Sequence, residues 1–153
     1  MRNSLIPAIL VLAAATTASD AQERQWSLDV SDTDAYLAFG VPETDDIGVS
    51  FWCPLHAGEI KLFLPETDAG LKPNAPQDFT LTTGNKWFRF QGKTTANEEA
   101  GSISIEGAKP ATADVFAYLA KQSSFALTIR KQHIAFPLGD ADVTGLIEKC
   151  SKP

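Results

Sequence analysis

Apolar and polar residues alternate along most of the chain with a period of two, the pattern of strands that bury one face. The segment from Val49 to Cys53 shows it clearly, with Val49, Phe51 and Cys53 on one face and Ser50 and Trp52 on the other. Further stretches place apolar residues at alternate positions, namely Trp26/Leu28/Val30, Leu37/Phe39/Val41, Ile60/Leu62/Leu64, Phe88/Phe90, Phe125/Leu127/Ile129 and Ile134/Phe136/Leu138. Turn-forming residues separate these stretches, so the pattern predicts about nine short strands.

Two segments follow a helical period instead. Residues 113–121 predict a short helix with Thr112 as its N-cap and with Phe116 and Leu119 on the apolar face. After Gly139-Asp140, a second helix is predicted near the carboxyl end of the chain. Its apolar positions fall at i, i+3, i+4 and i+7, and they are Val143, Leu146, Ile147 and Cys150.

Two stretches lack a strand pattern and are predicted as loops. Residues 65–78 contain three prolines, a glycine and several short polar residues. Residues 94–100 are mostly polar and precede a strand that begins at Ser102. Between such connections, the strands predict a mainly β fold, either an antiparallel sandwich or a small barrel, with one inserted helix and a C-terminal helix.

The amino terminus has the features of an export signal. Arg2 supplies a positive charge, residues 5–15 form an apolar run too short to span a bilayer, and Ser19-Asp20-Ala21 fits a cleavage site. We therefore expect residues 1–21 to be a removed signal peptide and residues 22–153 to be a single β-rich domain. The expected location is periplasmic or secreted, without a membrane anchor after cleavage.

The charge balance narrows the expected partners. The chain has 13 basic and 19 acidic residues, a net charge of −6, and no basic cluster. Such a chain repels phosphate backbones and anionic membrane surfaces, so nucleic-acid binding is not expected.

Two cysteines in an exported chain most simply form a structural disulfide, here Cys53 with Cys150, closing a loop of about 97 residues. An alternative uses the same sulfurs for metal binding or thiol redox chemistry. Cys53, His56, His133 and Cys150 have the residue types of a zinc site, although only Cys53 and His56 have ligand spacing. Phe51-Trp52-Cys53-Pro54 also resembles the start of a thioredoxin-type motif, but His56 replaces the second cysteine and a strand pattern follows.

The order of these features resembles a group of small exported bacterial β-rich domains. The residues that carry the resemblance are Pro42-Glu43-Thr44-Asp45-Asp46, the 49–53 strand, Gly58-Glu59-Ile60-Lys61-Leu62, Phe136-Pro137-Leu138-Gly139 and the helix ending in Cys150. Members of this group have one disulfide from a strand to the C-terminal helix, and their functions are mostly unassigned. The resemblance implies the fold and the compartment, and it supplies no catalytic residues.

The sequence has none of the common catalytic motifs, so we expect neither an enzyme nor a bound cofactor. It lacks a Gly-x-Ser-x-Gly elbow, a His-Glu-x-x-His motif and a glycine-rich phosphate loop.

If the aliphatic faces form the core, several large side chains project outward, and clustered outward aromatics mark contact surfaces. The predicted ligand or partner surface consists of Tyr36, Trp52, Phe63, Trp87 and Arg89. The open alternative is that a helix or a second sheet covers these side chains. The sequence thus predicts a non-enzymatic domain that binds a partner protein or a surface ligand.

Overall fold

The computed structural model describes residues 23–67, 70–98 and 101–153. The expected signal peptide, residues 1–21, lies outside these ranges. Within them, nine strands form one antiparallel sheet with the order β1-β2-β3-β4-β7-β6-β5-β8-β9. The strands are Gln25–Val30 (β1), Asp34–Gly40 (β2), Ile47–Pro54 (β3), Glu59–Thr67 (β4), Pro76–Thr83 (β5), Lys86–Asn97 (β6), Ser102–Pro110 (β7), Ser124–Ile129 (β8) and Gln132–Pro137 (β9). The helices are Asp114–Leu119 (α1) and Val143–Cys150 (α2).

The sheet curls until its two edge strands approach each other. Trp26 Nε1 in β1 donates a hydrogen bond to the carbonyl oxygen of Pro137 in β9, at 2.7 Å. Beside this bond, the Trp26 ring lies 6.4 Å from that of Phe125, and the Phe39 ring lies 6.2 Å from that of Phe136. The mainly β prediction is therefore confirmed, and the form is a single curled sheet that resembles the predicted small barrel.

The core consists of the side chains that point into the curl. The alternation predicted from the sequence is confirmed in β4, where the inward residues are buried and their neighbours are more exposed. It also holds in β3 apart from Ser50, which is buried although it lies on the outer face. Val30 is a departure, since it ends β1 and is 46% exposed. The largest side chains that are fully buried are Phe51, Phe90 and Phe116, so α1 also contributes to the core.

The curled sheet has two different ends. Both helices lie at one end, which we call the helical end, where β3 passes into β4 and β7 leads into α1. At the opposite end, which we call the open end, β2 turns into β3 and β8 turns into β9. Phe116 of α1 makes an edge-on contact with Phe51, 6.4 Å between ring centroids, and so closes the core at the helical end.

The predicted disulfide between Cys53 and Cys150 is confirmed, and it ties α2 to β3. The two Cα atoms are 5.7 Å apart and both residues are fully buried. The turn after β3 adds two hydrogen bonds, from His56 N to Lys149 O at 3.0 Å and from Gly58 N to Cys150 O at 2.8 Å. These bonds satisfy carbonyl groups at the end of α2, which no intrahelical donor can reach.

Three details of the predicted elements are wrong. Strand β4 runs on to Thr67 and β5 begins at Pro76, so the loop predicted over 65–78 is much shorter. Strand β6 extends to Asn97, through most of the polar stretch predicted as a loop. Helix α1 has Ala113 at its N-cap position, without a side-chain capping hydrogen bond, so Thr112 does not cap it.

Candidate functional site

The predicted outward aromatic side chains do lie on the outer face of the sheet. Tyr36, Trp52 and Phe63 are half-buried, and Trp87 is 71% exposed. None of these four is therefore sealed beneath a helix or a second sheet. What differs from the prediction is how the residues group together.

Strand register brings three of the aromatic residues together. Tyr36 lies directly opposite Trp52 across β2 and β3, and Phe63 of β4 lies opposite Ser50 of β3. On the other side of β4, Phe63 lies opposite Glu106 of β7. A concavity of about 330 Å³ opens among these side chains. We call it the outer groove, and its lining residues are Asp34, Tyr36, Trp52, Phe63 and Glu106.

Trp52 is held in place by three neighbours. Its ring packs against that of Tyr36, with centroids 6.1 Å apart and planes inclined by 25°. Its indole N–H donates to Glu106 Oε2 at 2.9 Å, and Lys61 Nζ lies 4.2 Å from its ring centroid. A large side chain held by a ring, a carboxylate and a cation loses little rotamer freedom when a ligand binds.

Ser50 shows how closely these aromatic side chains cover the sheet. It lies on the outer face, and yet its solvent exposure is 0%. Its Oγ donates a hydrogen bond of 3.2 Å to the Tyr36 hydroxyl. The outer groove therefore has a compact, packed base.

Trp87 and Arg89 do not belong to the outer groove. Trp87 of β6 lies opposite Thr82 of β5, whereas Lys93 is the β6 residue opposite Glu106. Trp87 and Lys93 are six positions apart along β6, a distance of about 20 Å. Arg89 forms an ion pair with Asp78. The five residues predicted as one surface therefore occupy two separate places.

A larger concavity, of about 510 Å³, lies at the open end. Apolar side chains that include Leu64 and Phe136 line it, and the ion pair of Arg24 with Asp46, 2.5 Å between nitrogen and oxygen, lies at its border. The aromatic residue among its described lining residues is Phe136, which is buried against the rings of Phe125 and Phe39 and so presents little aromatic surface to a ligand. We therefore take the outer groove as the candidate site.

The alternative metal or thiol site is not assembled in the structure. Cys53 and Cys150 use both sulfur atoms in the disulfide. The ring of His56 contacts Ser151 O and that of His133 contacts Thr128 Oγ1, each through Nδ1. Across residues 23–67, 70–98 and 101–153, no three His, Cys, Asp or Glu side chains group closely enough to hold a metal ion.

Two acidic residues of the groove were missed by the sequence reasoning. Asp34 stands in what reads as a turn, and Glu106 stands at the end of a predicted strand. The carboxylate of Glu106 reaches Trp52 only because β7 lies beside β4 in the sheet, and no local pattern encodes that strand order.

Comparison with known proteins adds no relative, since no family model, no curated protein and no solved structure matches the chain. In the part of the chain described by the structure, no helix is long and apolar enough to cross a membrane.

Proposed function

We propose that the protein is an exported, non-enzymatic binding domain and that the outer groove is its contact surface. The observation that carries the proposal is the grouping of Tyr36, Trp52 and Phe63 around one groove, with all three half-buried. Aromatic side chains that are rigid and partly exposed contribute much of the binding energy at protein surfaces. The buried disulfide supports the compartment, because such bonds persist in oxidising environments.

The alternative, a periplasmic metal-binding or thiol-redox protein, has less support. A thiol of the redox type is activated at the amino end of a helix, whereas Cys53 stands in a strand and a turn into another strand follows it. Its sulfur is also bonded and fully buried.

The proposal is tested by capture from fractionated periplasmic extract of the producing organism. The extract is separated into macromolecules and small molecules, and each fraction is passed over immobilised, disulfide-bonded protein. We expect a ligand that the wild-type protein retains and that a Phe63→Ala variant loses. The matched control is Trp87→Ala, which removes an exposed aromatic side chain outside the groove and should leave capture unchanged.

The fraction that contains the ligand also decides between a partner protein and a small surface ligand. If everything retained by the wild type is retained equally by Phe63→Ala, the groove is not the contact surface. Amide spectra of each variant establish that the sheet is intact before capture is compared.

A further inference from the structure

We propose that the outer groove binds an organic ammonium cation and that a quaternary ammonium group is the best fit. This inference rests on the proposed function and adds the chemical class of the ligand. It follows from the lining of the groove, which consists of three aromatic side chains and two carboxylates. The carboxylates are those of Asp34 and Glu106.

The physical basis is the charge distribution of aromatic rings. Their faces carry partial negative charge and attract cations, most strongly for Trp, followed by Tyr and Phe. A quaternary ammonium cannot form N–H hydrogen bonds, so aromatic faces and nearby carboxylates are suitable partners for it. The volume of about 330 Å³ is at the low end of ligand pockets, roughly 300–1,000 Å³, and therefore suits a small ligand.

A cation of the protein itself already uses one of these rings. Lys61 lies opposite Trp52 in β4, and its Nζ lies 4.2 Å from the centroid of the indole ring. Lys61 has no ion pair within the described residues, so this ammonium contacts the ring without a carboxylate partner. The Trp52 ring thus attracts positive charge, and a ligand cation takes this position on the ring by displacing Lys61.

The charged residues beside the groove limit which groups the ligand can carry next to its ammonium. A second depression, of about 590 Å³, adjoins the groove and shares Phe63 and Glu106 with it. It also contains Glu98. A phosphate or carboxylate next to the ammonium would approach Glu98 and Glu106, and like charges repel. Lys93 lies opposite Glu106 but does not line either depression, so the carboxylates are the nearer charges. We therefore expect cations such as choline to bind in preference to zwitterions such as phosphocholine.

The test is a titration of the ¹⁵N-labelled, disulfide-bonded protein with choline, followed through the three indole N–H signals. We expect the Trp52 signal to shift saturably, because its N–H donates to Glu106 in the wall of the groove. The signals of Trp26 and Trp87 serve as internal controls and should stay in place, since neither residue lines the groove. A neutral analogue of the same shape, 3,3-dimethyl-1-butanol, should bind about tenfold more weakly.

Four variants locate the interaction. Trp52→Leu should weaken choline binding about tenfold, read from backbone amides of β2 and β4. Glu106→Gln keeps an acceptor for the indole and removes the charge, and it should weaken binding about two- to fivefold. Lys61→Met removes the competing cation and should strengthen binding by a similar factor. Trp87→Ala should have no effect.

Equal affinity for choline and its neutral analogue would overturn the inference, because the groove would then be merely apolar. Absence of choline binding would overturn it as well. In both cases the proposed function still stands if Phe63→Ala abolishes capture of another ligand, so the two proposals fail separately. Free phosphocholine and phosphatidylcholine vesicles are tested as two further ligands. Comparing their binding with that of choline distinguishes a soluble cation from a lipid headgroup as the ligand. Tighter binding of either than of choline would contradict the assigned role of Glu98 and Glu106.

Discussion

Two glycines that face each other across β6 and β7 leave the space that a buried aromatic ring occupies. Gly92 and Gly107 are register partners, and the ring of buried Phe79 lies against both. A Cβ atom at Gly107 would lie 2.8 Å from Phe79 Cε1, and one at Gly92 would lie 2.9 Å from it. The same ring stacks on Phe90 with centroids 5.1 Å apart, so it has little room to retreat.

We therefore expect Gly107→Ala to lower the free energy of unfolding by about 1–3 kcal/mol, the usual cost of overpacking. Urea denaturation measures the change. The control is Ala108→Val at the next position, which is exposed and should change stability by less than about 0.5 kcal/mol. If Gly107→Ala is as stable as the wild type, the Phe79 ring must be able to move.

Helix α2 is the element whose position depends most on a covalent bond. It has only eight residues, and helices this short do not persist alone in water. Three of its side chains are buried, and the N-cap residue Asp142 accepts a hydrogen bond of 2.8 Å from Gly145 N. The remaining attachment is the disulfide with the two hydrogen bonds from the β3–β4 turn.

Cys150→Ser is expected to lower the thermal midpoint by at least about 5 °C, since a disulfide typically contributes about 2–4 kcal/mol. Amide hydrogens of residues 143–150 should exchange faster in this variant and in the reduced protein. Hydrogen exchange with mass spectrometry measures both. Equal protection in oxidised and reduced protein would mean that packing and the turn hydrogen bonds hold α2 without the bond.

The sequence predicted most elements because inward and outward residues alternate strictly in β3, β4, β8 and β9. It failed for the end of β6, where the polar residue Thr94 is buried. Thr94 in β6 has 0% exposure, and its Oγ1 donates to Lys72 O at 2.6 Å and accepts from Ala75 N at 3.0 Å. These contacts allow a polar segment to continue a strand, and they depend on a loop about 20 residues earlier in the chain.

The candidate site was predictable only in part for a related reason. Period two correctly placed Tyr36, Trp52 and Phe63 on the outer face. Which outward residues meet depends on strand order, and β7 rather than β5 lies beside β4. That order brings Glu106 to the groove and leaves Trp87 apart from it.

At the scale of the whole molecule, the form of the sheet depends on a narrow seam between its edge strands. Within the described residues, β1 and β9 have a ladder partner on one side only, at β2 and β8 respectively. Where these edges meet, Trp26 provides both an aromatic contact with Phe125 and the hydrogen bond to Pro137.

Trp26→Phe keeps an aromatic ring and removes the hydrogen bond across the seam. We expect it to lower the free energy of unfolding by about 1–3 kcal/mol, because the carbonyl of Pro137 loses its partner and packing is reduced. Chemical denaturation measures the change, and Trp87→Phe, at an exposed position, is the matched control. An effect no larger than that of Trp87→Phe would show that the seam closes without this bond.

The separation of 97 residues between the bonded cysteines bears on the order of events during biosynthesis. All nine strands of the described sheet precede Cys150 in the chain. At synthesis rates of about 5–20 residues per second, Cys53 emerges roughly 5–20 s before its partner does. Its thiol is thus unpaired while the later strands emerge, and during that interval it can exchange with the disulfide of another molecule and form a mixed disulfide, releasing that molecule's second sulfur as a thiol. The native disulfide forms last. It links α2 to β3 after all nine strands of the described sheet have been synthesised.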